Sequence, residues 1–106
     1  MRKIILVIAA LSLPLLAFSA DHKVSQKNKS FDQKELTVKK GDTITFSNDE
    51  KDITHNVFSL GPKNSFELKT QPPGKTSKVE FKEVGDTDVE CAIHPGMKMK
   101  VKVTDK

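Results

Sequence analysis

The chain has a single cysteine, no tryptophan and no tyrosine, and only five glycines and five prolines in 106 residues. One cysteine excludes a disulfide within the chain, so a domain of this size must find its stability elsewhere. With Trp and Tyr absent, the aromatic part of any core falls to phenylalanine. No stretch sustains a 3.6-residue apolar period, which argues against amphipathic helices. Nor is there a run of the ~20 apolar residues that a bilayer span requires. Charge of one sign is not in marked excess: 18 Lys and Arg stand against 14 Asp and Glu. The signs are interleaved, which reads as a solvated surface and not as a nucleic-acid-binding stripe.

The longest apolar run extends from Ile4 to Phe18, broken by Ser12 and Pro14, after a positive start at Met1-Arg2-Lys3. This is the pattern of a cleaved export signal, here residues 1–20. Small residues at Ala17 and Ser19 permit cleavage after Ser19, and Ala20 permits it one residue later. No cysteine follows the run, so no lipid or other membrane anchor is expected, and the destination is the periplasm or the exterior. Arg2 and Lys3 leave with the leader, so 16 basic residues against 14 acidic ones put the mature chain at +2.

Residues 21–30 are polar, lysine-rich and without periodicity, and read as a flexible arm. His22, within it, reads as a solvent-exposed histidine or as a metal ligand near a chain end. From Phe31 the pattern changes to short alternating segments separated by turn residues, as half-buried strands require. Leu36-Thr37-Val38-Lys39 leads through Lys40-Gly41-Asp42 into Thr43-Ile44-Thr45-Phe46, which reads as a hairpin. Further strands are expected at Asn56 to Leu60, Ser65 to Leu68, Ser77 to Phe81, Thr87 to Cys91 and Met99 to Val103. About seven strands in residues 31–106 predict one all-β domain, a Greek-key sandwich or barrel. Its core draws on Leu36, Val38, Ile44, Phe46, Val57, Phe66, Leu68, Val79, Phe81, Val89, Val101 and Val103.

The unpaired cysteine then needs a reason. A buried small apolar side chain and an intermolecular disulfide are the plain ones, but the neighbours of Cys91 point elsewhere. His94 follows at the third residue, Met97 three further on and Met99 two beyond that, while His55 opens a strand upstream. A thiolate, two imidazoles and a thioether are the ligand types of a blue-copper site, with two His and one Cys in a trigonal plane and a weak axial Met. Soft sulfur suits Cu(I) and imidazole tolerates Cu(II), so such a site passes one electron with little rearrangement. Zinc is the competitor, yet zinc has no use for an axial Met, and structural zinc sites usually offer several cysteines.

His55-Asn56-Val57 and Cys91-Ala92-Ile93-His94-Pro95-Gly96-Met97 resemble the two ligand segments of the cupredoxins, the type 1 copper proteins that include plastocyanin, amicyanin and pseudoazurin. The likeness extends to Leu36–Phe46 and to Pro72-Pro73-Gly74-Lys75-Thr76. One departure is Thr87-Asp88-Val89-Glu90, where many relatives carry an aromatic residue before the cysteine. The resemblance implies a cupredoxin-like domain holding one type 1 copper through His55, Cys91, His94 and an axial methionine. Amicyanin-like members use a Met three residues after the His, in a loop with Pro after the His as Pro95 is here, and on that resemblance Met97 is favoured; pseudoazurin-like members use one five residues after it, which makes Met99 the alternative. Asn56 is expected to hydrogen-bond the backbone near Cys91.

In the family the second histidine, here His94, breaks the surface within an apolar patch, to which Ile93, Pro95, Gly96, Pro62 and Pro73 would contribute. Lys63, Lys75, Lys98 and Lys100 would rim it and suit redox partner proteins with an acidic docking face. A monomeric periplasmic one-electron carrier is the first reading, and a periplasmic copper-delivery or copper-buffering protein the alternative. No Ser/His/Asp set, phosphate loop or paired-carboxylate motif suggests an enzyme.

Overall fold

The computed structural model describes residues 19–105; the leader expected at residues 1–20 lies outside them except for Ser19 and Ala20. Nine strands and no helix occur among the described residues: β1 (Asp21–Lys27), β2 (Ser30–Phe31), β3 (Glu35–Lys39), β4 (Thr43–Asn48), β5 (Val57–Ser59), β6 (Phe66–Glu67), β7 (Thr76–Glu80), β8 (Gly85–Cys91) and β9 (Lys98–Thr104). They form two mixed sheets, ordered β2-β1-β4-β7 and β3-β9-β8-β5-β6. β1 and β4 are parallel neighbours, as are β3 and β9; the remaining pairs are antiparallel.

Alternation of inward and outward side chains builds the space between the sheets. Ile44 and Phe46 of β4 face Val57, Val89, Val101 and Val103 from the second sheet, all buried. The phenylalanines carry the aromatic packing, with Phe46 stacked on Phe66 at 5.8 Å between ring centres. Phe31 meets Phe46 edge-on at 6.4 Å, and Phe81 meets Phe66 edge-on at 6.0 Å. Cys91, Met97 and Met99 join this core, while Leu36, Phe66, Leu68 and Val79 are only partly buried at its margin.

Two expectations are corrected. Asp21–Lys27 is a strand, paired along its length with β4 in the register Asp21↔Thr43 to Gln26↔Asn48. Its inward residues are Val24 and Gln26, both fully buried. One of the two is polar, which is why no apolar alternation marks the strand. The second correction is the hairpin: β3 and β4 do not pair, because β3 lies beside β9 and β4 between β1 and β7. The Lys40-Gly41-Asp42 turn carries the chain from one sheet to the other.

Gly41 sits at φ 94°, in the left-handed region that glycine enters without penalty. Asp42 then folds its carboxylate inward. Oδ2 accepts the N–H of Lys39 at 2.9 Å and the Nε2–H of His22 at 2.9 Å, and Oδ1 accepts the N–H of Ala20 at 2.9 Å. His22 is therefore a partner of Asp42, near the start of β4 and so at the opposite end of that strand from Asn48. Burial works to raise the Asp42 carboxyl, but the donors from Ala20, His22 and Lys39 outweigh it and hold it at about 2.

A carboxyl whose folded pKa is depressed contributes stability above its unfolded value and loses it as pH falls. For Asp42 the loss runs from pH ~4 to pH ~2 and amounts to about 2 kcal/mol. Denaturation of the copper-free protein across that window is expected to show this loss, and Asp42→Asn to flatten it; an unchanged pH profile in the variant removes Asp42 from the acid response.

Candidate metal centre

At the other end of β4, β8 ends in Cys91 and the chain turns back into β9. The reversal is His94-Pro95-Gly96-Met97, closed by the Met97 N–H donating to the His94 carbonyl at 3.1 Å. Proline presets the second position and glycine, at φ 94°, takes the positive-φ third, the sequence of a type II turn. The Cys91 N–H donates to the Met97 carbonyl at 3.1 Å, so Met97 stands directly across from Cys91. Both side chains are buried. Met99 is opposite Val89 and alternates inward with Val101 and Val103.

His55 arrives from the connection between β4 and β5. Its backbone forms an isolated bridge with Gln71, His55 N–H to Gln71 O at 3.0 Å and Gln71 N–H to His55 O at 2.7 Å. The fully buried Gln71 is itself fixed, accepting Gln26 Nε2–H at Oε1 and donating from Nε2 to Ser77 Oγ. The equally buried Asn48 donates from Nδ2 to the carbonyls of Gln71 and Ile53, each at 2.8 Å.

The three predicted donors converge. Cys91 Sγ lies 3.7 Å from His55 Nδ1 and 3.5 Å from His94 Nδ1, and the two Nδ1 atoms are 3.2 Å apart. A point equidistant from all three lies about 2 Å from each, close to the ~2.0–2.3 Å of transition-metal bonds to nitrogen and sulfur. The donor chemistry fits a single soft-to-borderline ion, and copper above all. These three form the group of candidate metal-binding side chains among the described residues.

Outer contacts orient the donors. The His55 Nε2–H donates to Glu50 Oε2 at 3.0 Å, which leaves the Nδ1 lone pair facing Cys91. Glu50 is nearly sealed, its side chain 6% exposed. It also accepts the N–H groups of Asn28 at 3.1 Å and Lys29 at 2.8 Å. Burial works to raise its carboxyl, but the Lys29 N–H, the His55 ring and the Asn28 N–H together hold it below the usual range. The His94 ring is lowered, chiefly by burial and then by the charge of His55 and Lys29.

Asn56 ties the two ligand segments together through its main chain. Its N–H donates to Cys91 Sγ at 3.4 Å and its carbonyl accepts the Ala92 N–H at 2.9 Å. The side-chain Oδ1 is buried without a hydrogen-bond partner. The sequence reading missed Glu50 and Gln71, since a Glu five residues before a His carries no spacing rule and a Gln after a Thr reads as loop. It also missed Leu60, 81% exposed, which lines a shallow groove with Asn56, Phe58, Glu67 and Ala92. Lys63 is misplaced in it: Nζ donates to the Val84 carbonyl beside the start of β8, the end remote from Cys91.

The fold and this triangle of donors are those of a small copper protein. Over residues 19–105 the chain matches the family described as copper binding proteins of the plastocyanin/azurin family, and it belongs to that family. It is 33% identical over 102 residues to the methylamine utilization protein MauL of Methylorubrum extorquens, covering 95% of this chain and 89% of that protein. Among solved structures, the reduced Cu(I) form of an amicyanin variant at pH 4 is 28% identical with a TM-score of 0.71, covering 85% of this chain and 87% of that one. A copper-containing nitrite reductase from Thermus scotoductus, 24% identical with a TM-score of 0.73, shares the fold alone; the match covers 87% of this chain and 24% of that one.

Because outer-shell partners commonly change metal affinity by roughly 10–100-fold, Glu50→Ala is expected to weaken copper binding by that factor in chelator competition. Glu50→Gln, which keeps an acceptor for the His55 Nε2–H, is expected to lose less. Parent-like affinity in Glu50→Ala would take Glu50 out of the site.

Proposed function

We propose that the protein is a periplasmic one-electron carrier that holds one type 1 copper ion through His55 Nδ1, Cys91 Sγ, His94 Nδ1 and the thioether of Met97. The observation that carries the reading is the near-equilateral triangle of the two imidazole nitrogens and the thiol sulfur, with sides of 3.2, 3.5 and 3.7 Å. Copper at that point supplies a one-electron couple between Cu(II) and Cu(I). The chain's part is to keep the donors still. Cys91 is tied to Met97 and through Ala92 to Asn56, His55 is bridged to Gln71 and held by Glu50, and a tight turn sets His94. Donors that do not move between oxidation states make the transfer fast, since little rearrangement accompanies it.

Met97 is favoured over Met99 as the axial ligand by strand register. Residues directly opposite on an antiparallel pair share a face, and Met97 is opposite Cys91 where Met99 is opposite Val89. His94 is half-buried, between the exposed Ile93 and Pro95. It offers the electron a short way out beside the exposed Ile93. Export to the periplasm is supported by the charged start and apolar run of residues 1–18. As a carrier, the protein acts on no substrate of its own; its partners are redox proteins met in small, short-lived interfaces.

Adding Cu(II) to the mature protein is expected to give an intense band near ~600 nm, with the narrow hyperfine splitting of a type 1 centre in EPR. Cys91→Ser is expected to abolish the band. Met97→Gln should shift both spectrum and reduction potential, while Met99→Leu should leave them near those of the parent. A copper-loaded parent without the band overturns the carrier reading and favours Cu(I) delivery; the reverse ranking of the two methionines overturns Met97.

Lys98 directly follows Met97, and the carbonyl of Lys75 accepts the Asn48 N–H near the bridged Gln71, so exposed positive charge stands at the copper end. A partner with an acidic docking face follows. Its reduction rate is expected to fall as ionic strength rises, because complementary charge acts mainly on encounter; a flat or rising profile would remove the charge assignment.

A further inference from the structure

The pole opposite the metal centre carries a second buried charge that the copper chemistry does not use. Asp42, its side chain 5% exposed, lies between the turn after β3 and the start of β1. Three donors reach it, the N–H of Ala20, the N–H of Lys39 and Nε2–H of His22, each at 2.9 Å. Of these only His22 is able to carry a positive charge in the unprocessed chain. Two cations of this region are turned elsewhere, Lys40 toward Asp105 at 3.7 Å and Lys78 toward Asp21 at 3.8 Å.

We propose that export cuts the chain between Ser19 and Ala20, and that the α-ammonium so created becomes the charge partner of Asp42. The inference rests on the export reading above. Two independent observations point to the same bond. On the leader side, cleavage after Ser19 puts the small residues Ala17 and Ser19 at the two positions where A-x-A-like sites need them, whereas cleavage after Ala20 would put Phe18 at the first. On the folded side, Ala20 is part of the structure. Its nitrogen donates to Asp42 Oδ1, and its carbonyl accepts the Thr43 N–H at 2.9 Å, which extends the β1–β4 ladder by one residue. A chain starting at Asp21 loses both bonds.

The chemistry is hydrolysis of one amide by the export peptidase. One water is consumed: the Ser19 carbonyl carbon takes its hydroxyl, and the C–N bond breaks. The Ala20 nitrogen leaves as an amine, and it is protonated near neutral pH. A neutral N–H donor to a buried carboxylate thereby becomes a cation at the same place. Ala20 is itself exposed, so the ammonium keeps water on one side while the other faces Asp42. Processing thus strengthens the anchor of β1, the strand that the sequence pattern leaves unmarked.

The test expresses the full chain in an exporting bacterial host and weighs the intact protein from the periplasmic fraction. The expected mass is that of Ala20–Lys106. A chain one alanine lighter, or cut elsewhere, overturns the proposal while leaving export intact. A periplasm without the protein, or a retained leader, overturns export and the proposal together. The second arm measures acylation of the α-amine at neutral pH, with the ~600 nm copper band as the control for folding. An opposite charge at hydrogen-bond distance raises an amine pKa by a unit or more, and each unit removes tenfold of the reactive free amine. The mature chain is therefore expected to react roughly tenfold more slowly than Asp42→Asn. It is also expected to react more slowly than a chain that retains Ser19, whose amine lies one residue further out. Equal rates against both overturn the ion pair.

Discussion

The metal centre depends on a short set of main-chain hydrogen bonds that hold the ends of two strands together. Cys91 and His55 belong to different segments, and nothing in their side chains brings them near each other. The backbone does so. Asn56 donates to the Cys91 sulfur and accepts from Ala92, and Cys91 donates to Met97. Each bond is worth only about 1 kcal/mol net, but they act on adjacent residues and together hold the two segments in register. Because these contacts are made by peptide groups, the identity of residue 56 matters less to the clamp than its place directly after His55. The identities that matter are the ones the turn imposes, Pro95 and Gly96, since a different backbone there would swing Met97 away from Cys91.

Behind the donors lies polar material that an apolar core of this size would not be expected to accept. Gln26, Asn48, His55 and Gln71 are all fully buried. A buried amide without partners costs several kcal/mol in a nonpolar medium, so these side chains are admissible only as a network. They bond chiefly to one another and to carbonyls of the same connection, and Gln71 alone engages Gln26, Ser77, Asn48 and both backbone groups of His55. Polar networks specify geometry better than apolar contacts, because each bond has a direction. The arrangement gives the deep histidine a fixed backbone, with Glu50 fixing its ring.

The convergence of Cys91 with His55 and His94 was legible because metal chemistry demands rare residue types: one cysteine and two of three histidines stand out in a chain otherwise composed of ordinary side chains. The strands from Leu36 onward were legible for a different reason, since a sheet with one wet face writes its alternation into the sequence. What failed has physical causes as well. β1 hides Gln26 where an apolar residue would have announced it, and its pairing is parallel, so no turn links it to β4. The expected hairpin failed because a Gly-Asp turn reports only that the chain reverses, not whether the next strand joins the same sheet. Lys63 was misplaced because the direction in which a loop lysine leans depends on strands it does not belong to. Glu50 and Gln71 serve the site through contacts made across the sandwich, and such contacts leave no local period.

The parts that fix His55 come from the first sheet and the connections leaving it, whereas Cys91 and His94 follow from the second. Glu50 lies just after β4, and Gln71 precedes β7, the neighbour of β4. An ion bound by His55 and Cys91 therefore closes a loop of contacts between the two sheets at a place where no disulfide is available to do so. Metal binding to a site that the unfolded chain lacks adds directly to folding free energy. With copper in the proposed site, the single cysteine that cannot brace the domain as half of a disulfide would brace it as a ligand.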